Sequence, residues 1–199
     1  GTSDGNVIAF GILEKRDCLR WVDHLIKRFG PDVKIILTGI SMGASTVLMA
    51  AGSPLPPQVK GVLADCGFTT AKAIMYKVIR QIKLPPKLMY PFVRLGAKLF
   101  GGFDLECDSA LEAVKKATVP IIFYHGDHDD FVPCCMSQEN YDACASRKML
   151  VITPGAGHGL CYMTDPLRYE MIVTKFLYQI PALRSHMSKS DYVQKELRG

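Results

Sequence analysis

The sequence lacks several features that would assign it to a common class of protein. No apolar run reaches the roughly 18 residues that a membrane-spanning helix needs. The seven cysteines form no C-x-x-C pair and no metal-ligand spacing, and an odd number fits a disulfide framework poorly. The first residues show no signal-peptide pattern. These absences favour a cytoplasmic protein with free thiols and no integral membrane segment.

Acidic residues are missing from one long segment. Residues 71–103 contain seven basic side chains and no acidic one, although the net charge of the whole chain is only +5. Solvated helix faces are the ordinary explanation, and a surface that attracts anionic substrates or acidic lipid is the alternative. No nucleic-acid recognition motif accompanies the charge, so we expect no nucleic-acid partner.

Short apolar runs alternate with helical patterns along the chain. Hydrophobic residues make up 48% of the 199 residues, which fits one globular domain over residues 1–199. The runs predict strands over residues 33–38, 59–65, 119–124 and 149–153. Helical patterns cover residues 10–29, 44–51, 109–117, 133–145 and 166–179, and a further helical region, 71–102, is interrupted by Pro85-Pro86, Pro91 and Gly101-Gly102. This alternation predicts an α/β fold with a mainly parallel sheet covered by helices on both faces.

The most informative stretch is the first predicted strand and the turn after it. Apolar and β-branched residues run from Val33 to Thr38, and Gly39-Ile-Ser41-Met-Gly43 and a helix of small residues follow. A strand, a sharp G-x-S-x-G turn and a helix form a nucleophile elbow. The turn strains the backbone of the serine, so we expect Gly39 and Gly43 both to be needed because they lack bulk. The hydroxyl of Ser41 would lie at a helix N-terminus, where developing negative charge is favoured.

Two later strand ends carry the partners that a nucleophilic serine needs. The third predicted strand is followed by His125-Gly-Asp127-His128-Asp129-Asp130, and the fourth by Gly157-His158-Gly159. Because the carboxyl ends of parallel strands share one edge of the sheet, we expect these loops to meet Ser41. His158 can accept the serine proton, and a carboxylate behind it fixes the tautomer. The candidates for that carboxylate are Asp127, Asp129 and Asp130.

The same loop offers an alternative interpretation as a metal site. It contains five ligand-type residues, namely His125, Asp127, His128, Asp129 and Asp130. A tight loop rarely directs five neighbouring side chains at one point, and no distant histidine or glutamate set completes the coordination sphere. We therefore predict no metal and no cofactor, and a structural role for His125.

Three motifs in order resemble those of a known superfamily. G-I-S-M-G at 39–43, H-G-x-x-D-x-x-V-P at 125–133 and G-A-G-H at 155–158 are similar to motifs of the bacterial α/β-hydrolases of the esterase and prolyl-oligopeptidase-like group. Asp65-Cys-Gly-Phe68 and the helix around Glu14 and Asp17 belong to the same resemblance, which extends over nearly the whole chain. It implies an α/β-hydrolase fold, a catalytic triad of Ser41, Asp129 and His158, and the backbone N–H of Met42 as one oxyanion-hole donor.

The resemblance also implies that the chain is the C-terminal portion of a longer domain. Relatives carry further strands upstream, so we expect the second oxyanion donor to lie outside this sequence and the strand over 33–38 to be an exposed edge. A missing N-terminal segment or a second copy of the chain would pair with that edge. Gly1-Thr-Ser3-Asp-Gly5 also matches G-x-S-x-G, but no strand precedes it, so we do not expect Ser3 to be the nucleophile.

Residues 71–103 lie where this fold inserts a helical lid. The segment is more apolar than an exposed loop requires, which indicates either packing on the body or a wall for an acyl chain or aromatic ester. The candidates for such a wall are Met75, Tyr76, Met89, Tyr90 and Phe92. Four cysteines also fall in or after strand-end loops, namely Cys66, Cys134, Cys135 and Cys161. We expect all four to serve packing. The alternative is oxidant-sensitive activity, because Cys134 and Cys135 begin a helix, where a thiolate is favoured.

These patterns predict a serine hydrolase that cleaves small carboxylic esters, hydrophobic or anionic, through an acyl-enzyme. A thioesterase or a peptidase of the same fold uses the same triad, so both activities stay open. A non-catalytic interaction protein on a hydrolase scaffold is the alternative from a different functional class.

Overall fold

The sheet is parallel and brings the carboxyl ends of all its strands to one edge. The computed structural model describes residues 4–184, so Ser3 and the tail over 185–199 lie outside the described residues. The strands follow the order β1-β2-β3-β4, with bounds Ile35–Ile40, Val59–Asp65, Ile121–Gly126 and Lys148–Thr153. Ile40 is opposite Asp65, which is opposite Tyr124, and Gly126 is opposite Thr153. The prediction of a mainly parallel sheet is confirmed.

Helices connect the strands. Along the described chain they are α1 (Glu14–Phe29), α2 (Met42–Ala51), α3 (Ala71–Gln81), α4 (Pro86–Gly96), α5 (Ala110–Val114), α6 (Cys135–Ala143), α7 (Cys161–Thr164), α8 (Pro166–Tyr178) and α9 (Pro181–Arg184). The first helix starts at Glu14 and not at residue 10, because Phe10 and Gly11 have φ values of 54° and 89°, outside the helical region. The Glu14 carboxylate accepts hydrogen bonds from the backbone N–H groups of Ala9 and Gly11, which fixes this entry to the helix.

Both faces of the sheet are covered, as predicted. Alternate side chains of a strand point to opposite faces. On one face, Val62 and Phe123 join a core cluster with residues of α1, α2 and α5. On the other, Leu63 and Tyr124 pack with Phe176 of α8. Because both faces are buried, the central residues of β2 and β3, 62–64 and 121–124, are apolar without a polar alternation.

The helical segment 71–103 differs from its prediction at one proline. Thr70 caps α3 by accepting a hydrogen bond from the Ala73 N–H at 2.9 Å, and Pro85-Pro86 separates α3 from α4 as expected. Pro91, however, lies inside α4, so the prediction that it interrupts the helix is wrong. The N–H that Pro91 lacks would have bonded to the carbonyl of Lys87, an exposed residue, where water can take its place. After α4 the chain continues as a π-helical turn, Ala97–Gly101, and Gly102 ends it with φ of 70°.

The strand β1 lies at one end of the sheet and, within residues 4–184, pairs with β2 alone. Its last residue, Ile40, is 57% exposed. Pairing of this edge with an N-terminal segment or a second copy stays a prediction. Within the same described range, no helix combines the length and the apolarity required to cross a bilayer.

Candidate active site

Ser41 occupies a strained turn between β1 and α2. Its φ and ψ are 55° and −118°, a conformation that an L-residue rarely adopts and that costs on the order of 1–3 kcal/mol. Two backbone hydrogen bonds hold it there: its N–H donates to the carbonyl of Asp65 at 2.8 Å, and its carbonyl accepts from the N–H of Ser45 at 3.1 Å. Packing of the elbow on β2 therefore maintains a backbone that local preference would relax.

The two glycines of the turn have different roles. A Cβ atom on Gly39 would lie 2.2 Å from the carbonyl carbon of Gly43, so the strand can approach the helix this closely only with glycine at 39. A Cβ atom on Gly43 would meet nothing within 4 Å. The expectation that both positions exclude bulk is therefore wrong for Gly43. A side chain on residue 39 would point into the backbone of residue 43, whereas a side chain on residue 43 would point into open space.

Ser41, His158 and Asp129 form a continuous hydrogen-bonded chain. The Oγ of Ser41 lies 2.8 Å from Nε2 of His158, and Nδ1 of His158 lies 2.8 Å from Oδ2 of Asp129. Because a carboxylate only accepts, Nδ1 carries the imidazole proton, and Nε2 is left free to accept from the serine hydroxyl. The three residues follow β1, β3 and β4, so the shared edge of the sheet brings them together.

The Asp129 carboxylate is buried and fully hydrogen-bonded. Its side chain is 0% exposed. Oδ1 accepts from the backbone N–H groups of Phe131 and Val132 at 2.9 and 2.8 Å, and Oδ2 faces His158. A buried charge is tolerable only when its lone pairs are used in this way. The loop that follows the aspartate thus folds back to stabilise it.

The other two candidate aspartates point elsewhere. Oδ1 of Asp127 accepts from the N–H of Gly155 at 2.6 Å, a contact that ties the loop after β3 to the loop after β4. Asp130 is exposed, and its backbone carbonyl is held by the ammonium of Lys77 from α3. Of the three, Asp129 is the one that the structure brings to His158.

His125 supports Asp129 from the opposite side, which sequence reasoning missed. It is fully buried at the end of β3. Nε2 lies 2.9 Å from the carbonyl oxygen of Val132, so Nε2 carries the proton, and Nδ1 at 2.7 Å accepts from the hydroxyl of Ser137. The same Nε2 lies 3.1 Å from Oδ2 of Asp129. In its structural role, His125 therefore holds the turn at Val132 and contacts the carboxylate of Asp129.

Of the five side chains in the metal interpretation, two are buried and three are exposed. His125 and Asp129 are turned inward, whereas Asp127 binds a backbone N–H and Asp130 is exposed. Among residues 4–184, the group of potential ligands that comes closest together is Cys66, Asp129 and His158, whose ligand atoms lie within 4.8 Å of one another. The Asp129 oxygens in this group are already used by N–H donors, and the absence of a metal stays a prediction.

Cys66 and Asp65 lie beneath the site at the end of β2. Burial raises the pKa of the Cys66 thiol to about 12 and also raises the pKa of Cys161, so both thiols are neutral near pH 7. Burial likewise raises the pKa of Asp65, whose Oδ1 has no hydrogen-bond partner among the described residues. Burial also raises the pKa of Cys134, which disfavours the thiolate that was the alternative to packing at this residue. All seven cysteines are free, as predicted.

The structure separates the candidate wall residues. Met75 packs beside Met42 in a small cluster around Phe68 and Val132, next to the elbow. Tyr76 and Tyr90 form an edge-to-face pair at 5.2 Å on a cavity of about 450 Å³ that is also lined by Lys72, Arg94 and Lys98. Met89 packs against the main core, and Phe92 is 64% exposed. An aromatic residue that sequence reasoning missed, Phe131, packs edge-on against the His158 ring at 5.0 Å, and its position beside Asp129 was the available signal.

A bacterial protein is similar to this chain in sequence. The chain is 28% identical over 178 residues to the uncharacterized protein YqkD of Bacillus subtilis (strain 168), and the match covers 89% of this chain and 58% of YqkD. The chain thus spans less than two thirds of the length of this curated relative.

Solved structures share the fold at low sequence identity. The Pyrococcus furiosus esterase Pf2001 superposes with a TM-score of 0.66 at 21% identity, over 90% of this chain and 67% of that protein. The acylaminoacyl peptidase of Pyrococcus horikoshii superposes with a TM-score of 0.62 at 16% identity, over 86% of this chain and 28% of that protein. An alpha/beta fold family hydrolase from Bacillus anthracis str. Sterne gives 0.60 at 14% identity, over 89% and 78%. The α/β-hydrolase fold predicted from the motifs is therefore confirmed.

Sequence similarity to one family extends over most of the chain. Residues 10–180 match the prolyl oligopeptidase family, Peptidase_S9. The matched range contains the elbow, the loop after β3 and the loop after β4. The chain belongs to the prolyl oligopeptidase family of α/β-hydrolases.

Proposed function

We propose that the protein is a serine hydrolase that cleaves carboxylic esters through an acyl-enzyme. The observation that carries this proposal is the unbroken chain from Ser41 Oγ through His158 to Asp129, with both contacts at 2.8 Å. Membership of the prolyl oligopeptidase family supports a hydrolase, and the similarity to an esterase supports an ester substrate.

In the acylation step, Oγ of Ser41 attacks the ester carbonyl carbon while its proton passes to Nε2 of His158. The bond to the alkoxy oxygen then breaks, and His158 returns the proton to that leaving oxygen. Asp129 stays ionised, holds the ring through Nδ1 and stabilises the imidazolium that forms between these events. Water, activated by the same histidine, attacks the acyl-enzyme and releases the acid.

The oxyanion of each tetrahedral intermediate needs hydrogen-bond donors. Met42 is the first residue of α2 and follows the nucleophile directly, so its backbone N–H is the donor that we assign. The helix dipole of α2 adds to the favourable potential at this point. Loss of one oxyanion donor slows such enzymes on the order of 100-fold or more. A second donor from elsewhere in the full-length protein is part of the proposal.

Peptidase activity is a second candidate with its own support. The chain is similar to an acylaminoacyl peptidase, and its family takes its name from a peptidase. A hydrogen-bonded triad such as Ser41, His158 and Asp129 can act on esters, thioesters and amides, because all three react through the same kind of tetrahedral intermediate. Substrate choice therefore depends on the surfaces around Ser41, including Met75 and Phe131.

Labelling of the full-length protein with a fluorophosphonate probe tests the enzyme class. We expect rapid labelling of the wild type, none for Ser41→Ala, and wild-type labelling for Ser53→Ala, a serine at the far end of α2. An unlabelled wild type would show that the scaffold is not catalytic and would favour an interaction protein.

A panel of matched substrates then separates the two activities. Short and long p-nitrophenyl esters, a thioester and an acylaminoacyl p-nitroanilide would be compared by kcat/KM. We expect the esters to be the best substrates. A higher kcat/KM for the anilide than for every ester would replace the esterase proposal with the peptidase.

A further inference from the structure

An exposed apolar stripe runs along the outer face of α4 and continues into the π-helical turn Ala97–Gly101, which contains Leu99. Leu88, Phe92, Leu95 and Leu99 follow one another at helical spacing, and their exposed fractions are 62%, 64%, 51% and 68%. Phe100, at the end of the π-helical turn, is 89% exposed. Residues at this spacing share one face of a helix. Side chains that are this exposed protrude from the surface, and Leu95 also borders the cavity beside Tyr76 and Tyr90.

The orientation of the helix is fixed by its other face. Tyr90 is only 4% exposed, and Met89 packs against the main core. Arg94 binds the carboxylate of Asp104 through two hydrogen bonds, from Nε and from an η nitrogen, both of 2.7 Å. The helix is therefore attached to the body on its inner side, and the apolar stripe cannot turn inward without breaking these contacts.

Six of the seven cations of residues 71–103 fall into two groups, and the seventh, Lys77, donates to the backbone carbonyls of Asp130 and Phe131. Those on the inner side, Lys72, Arg94 and Lys98, form ion pairs with Asp104 and Glu106. Arg80, Lys83 and Lys87 are exposed, and none of the ion pairs found within residues 4–184 includes any of the three. Lys83 sits in the turn between α3 and α4 with φ of 61°, and the N–H of the next residue, Leu84, donates to the carbonyl of Ile79.

Because residues 71–103 contain no acidic side chain, the exposed face combines protruding apolar groups with uncompensated positive charge. We propose that the outer face of α4, together with Arg80, Lys83 and Lys87, docks on a membrane surface that carries anionic phospholipid headgroups. In this arrangement Leu88, Phe92, Leu95 and Leu99 enter the boundary between headgroups and acyl chains. The three cations remain at the headgroup level, where each contributes to the attraction.

An anionic bilayer fits these features better than an acidic protein does. A protein partner for an apolar helix usually offers a groove, and it buries the helix against a defined set of side chains. A bilayer accepts any convex apolar stripe. Its charge is spread over the whole surface, so it can attract cations at the end of α3, in the turn between the helices and at the start of α4. The docking surface is independent of the catalytic residues, so it does not rest on the proposed hydrolysis.

Flotation of the full chain with lipid vesicles tests the proposal. We expect the wild type to float with vesicles of equimolar phosphatidylcholine and phosphatidylglycerol, to stay behind with pure phosphatidylcholine, and to be released by about 1 M salt, where screening reaches contact distances. The double variant Lys83→Glu/Lys87→Glu should lower the partition coefficient by about 25-fold or more. Phe92→Ser/Leu95→Ser should lower it by about tenfold or more.

Matched controls separate this surface from general stickiness. Lys27→Glu/Arg28→Glu changes two exposed cations of α1, and Leu167→Ser removes an apolar side chain of α8 that is 71% exposed. Both control variants should float as the wild type does. Failure of the wild type to float, as expected for an acidic protein partner, would overturn the proposal. Equal losses in the test and control variants would overturn it as well.

Discussion

A Cβ atom built on Gly126 would lie 2.1 Å from the carbonyl oxygen of Ala156, so the last residue of β3 touches the loop after β4 backbone to backbone. The same carbonyl oxygen accepts the N–H of His128 at 3.1 Å. This contact sets the separation of the two loops, and therefore the distance between Asp129 and His158.

Replacement of Gly126 should separate the two loops. We expect Gly126→Ala to lower the free energy of unfolding by at least about 2 kcal/mol, because the methyl group cannot fit against a backbone oxygen. It should also slow fluorophosphonate labelling, because Asp129 moves away from His158. Gly157→Ala in the neighbouring loop is the control, since its Cβ would meet only Leu160 Cδ1, at 3.5 Å. Urea unfolding and labelling rates that are the same for both variants would contradict this account.

The two glycines of the elbow should respond in opposite directions. Gly39→Ala places a methyl group against the backbone of Gly43, so we expect a loss of at least about 2 kcal/mol in the free energy of unfolding. Gly43→Ala fills open space in a helix, where alanine is favoured by roughly 0.5–1 kcal/mol, so it should be neutral or stabilising. Thermal or urea unfolding of the pair decides the matter. A Gly43→Ala variant as unstable as Gly39→Ala would mean that the space beside residue 43 is filled in the full-length protein.

Asp65 should make stability depend on pH. Burial raises the pKa of Asp65 in the folded protein above its value in the unfolded chain, so the folded state binds the proton more tightly. Its ionised form therefore destabilises the fold. This cost is absent below the unfolded pKa of about 3.9, grows as the pH rises to the folded pKa, and is constant above it. Asp65→Asn removes the ionisation, so this variant should gain stability relative to the wild type over the pH range that begins at the unfolded pKa of about 3.9 and extends upward.

The measurement is urea unfolding of both proteins across that range. The pH dependence isolates the ionisation, because any hydrogen-bonding defect of the new amide shifts the stability by the same amount at every pH. Asp23→Asn on the exposed surface of α1 reports the general effect of removing one negative charge. A difference between wild type and Asp65→Asn that does not change with pH would refute the prediction.

The thiols should divide by exposure when the folded protein reacts with iodoacetamide. Burial raises the pKa of Cys66 to about 12 and raises that of Cys161, and the protonated thiol does not react. Cys107 and Cys135 are exposed. At about pH 8 we expect mass spectrometry to find the label on Cys107 and Cys135 and none on Cys66 or Cys161. The unfolded protein should be labelled at all seven cysteines, which serves as the control, and labelling of Cys66 in the folded state would show that the floor of the site opens.

The elements that could be predicted were those whose signals are local. The strand β2 was predicted with its observed bounds, because a strand buried on both faces is mainly apolar, as residues 62–64 are. Ser109, the first residue of the helical pattern predicted over 109–117, caps α5, and its hydroxyl accepts the N–H of Glu112 at 3.2 Å. Local signals failed where the surroundings of a helix in the folded protein decided the outcome. Pro91 is tolerated inside α4 because that helix is exposed at Lys87, which composition does not reveal.

The residues of the candidate site could be predicted from the sequence, but the contacts that hold them in place could not. Ser41, His158 and three aspartates followed from strand-end motifs, because parallel strands place their carboxyl ends together. His125, Ser137 and Phe131 could not be given their partners from the sequence. His125 contacts Ser137, Val132 and Asp129, and Phe131 contacts His158. These contacts form only when the loops fold, and several arrangements of such loops satisfy the same motif.

By itself the sequence determined the order of the elements, the parallel sheet and the positions of the nucleophile, base and carboxylate candidates, because hydrophobic periodicity and turn chemistry act between near neighbours. Tertiary structure alone decided that His125 contacts Val132 and Asp129, that Gly39 and not Gly43 is sterically required, and that the apolar stripe of α4 is left without a partner among the described residues. These three outcomes are set by how whole helices and loops pack, and no local pattern of residues contains them.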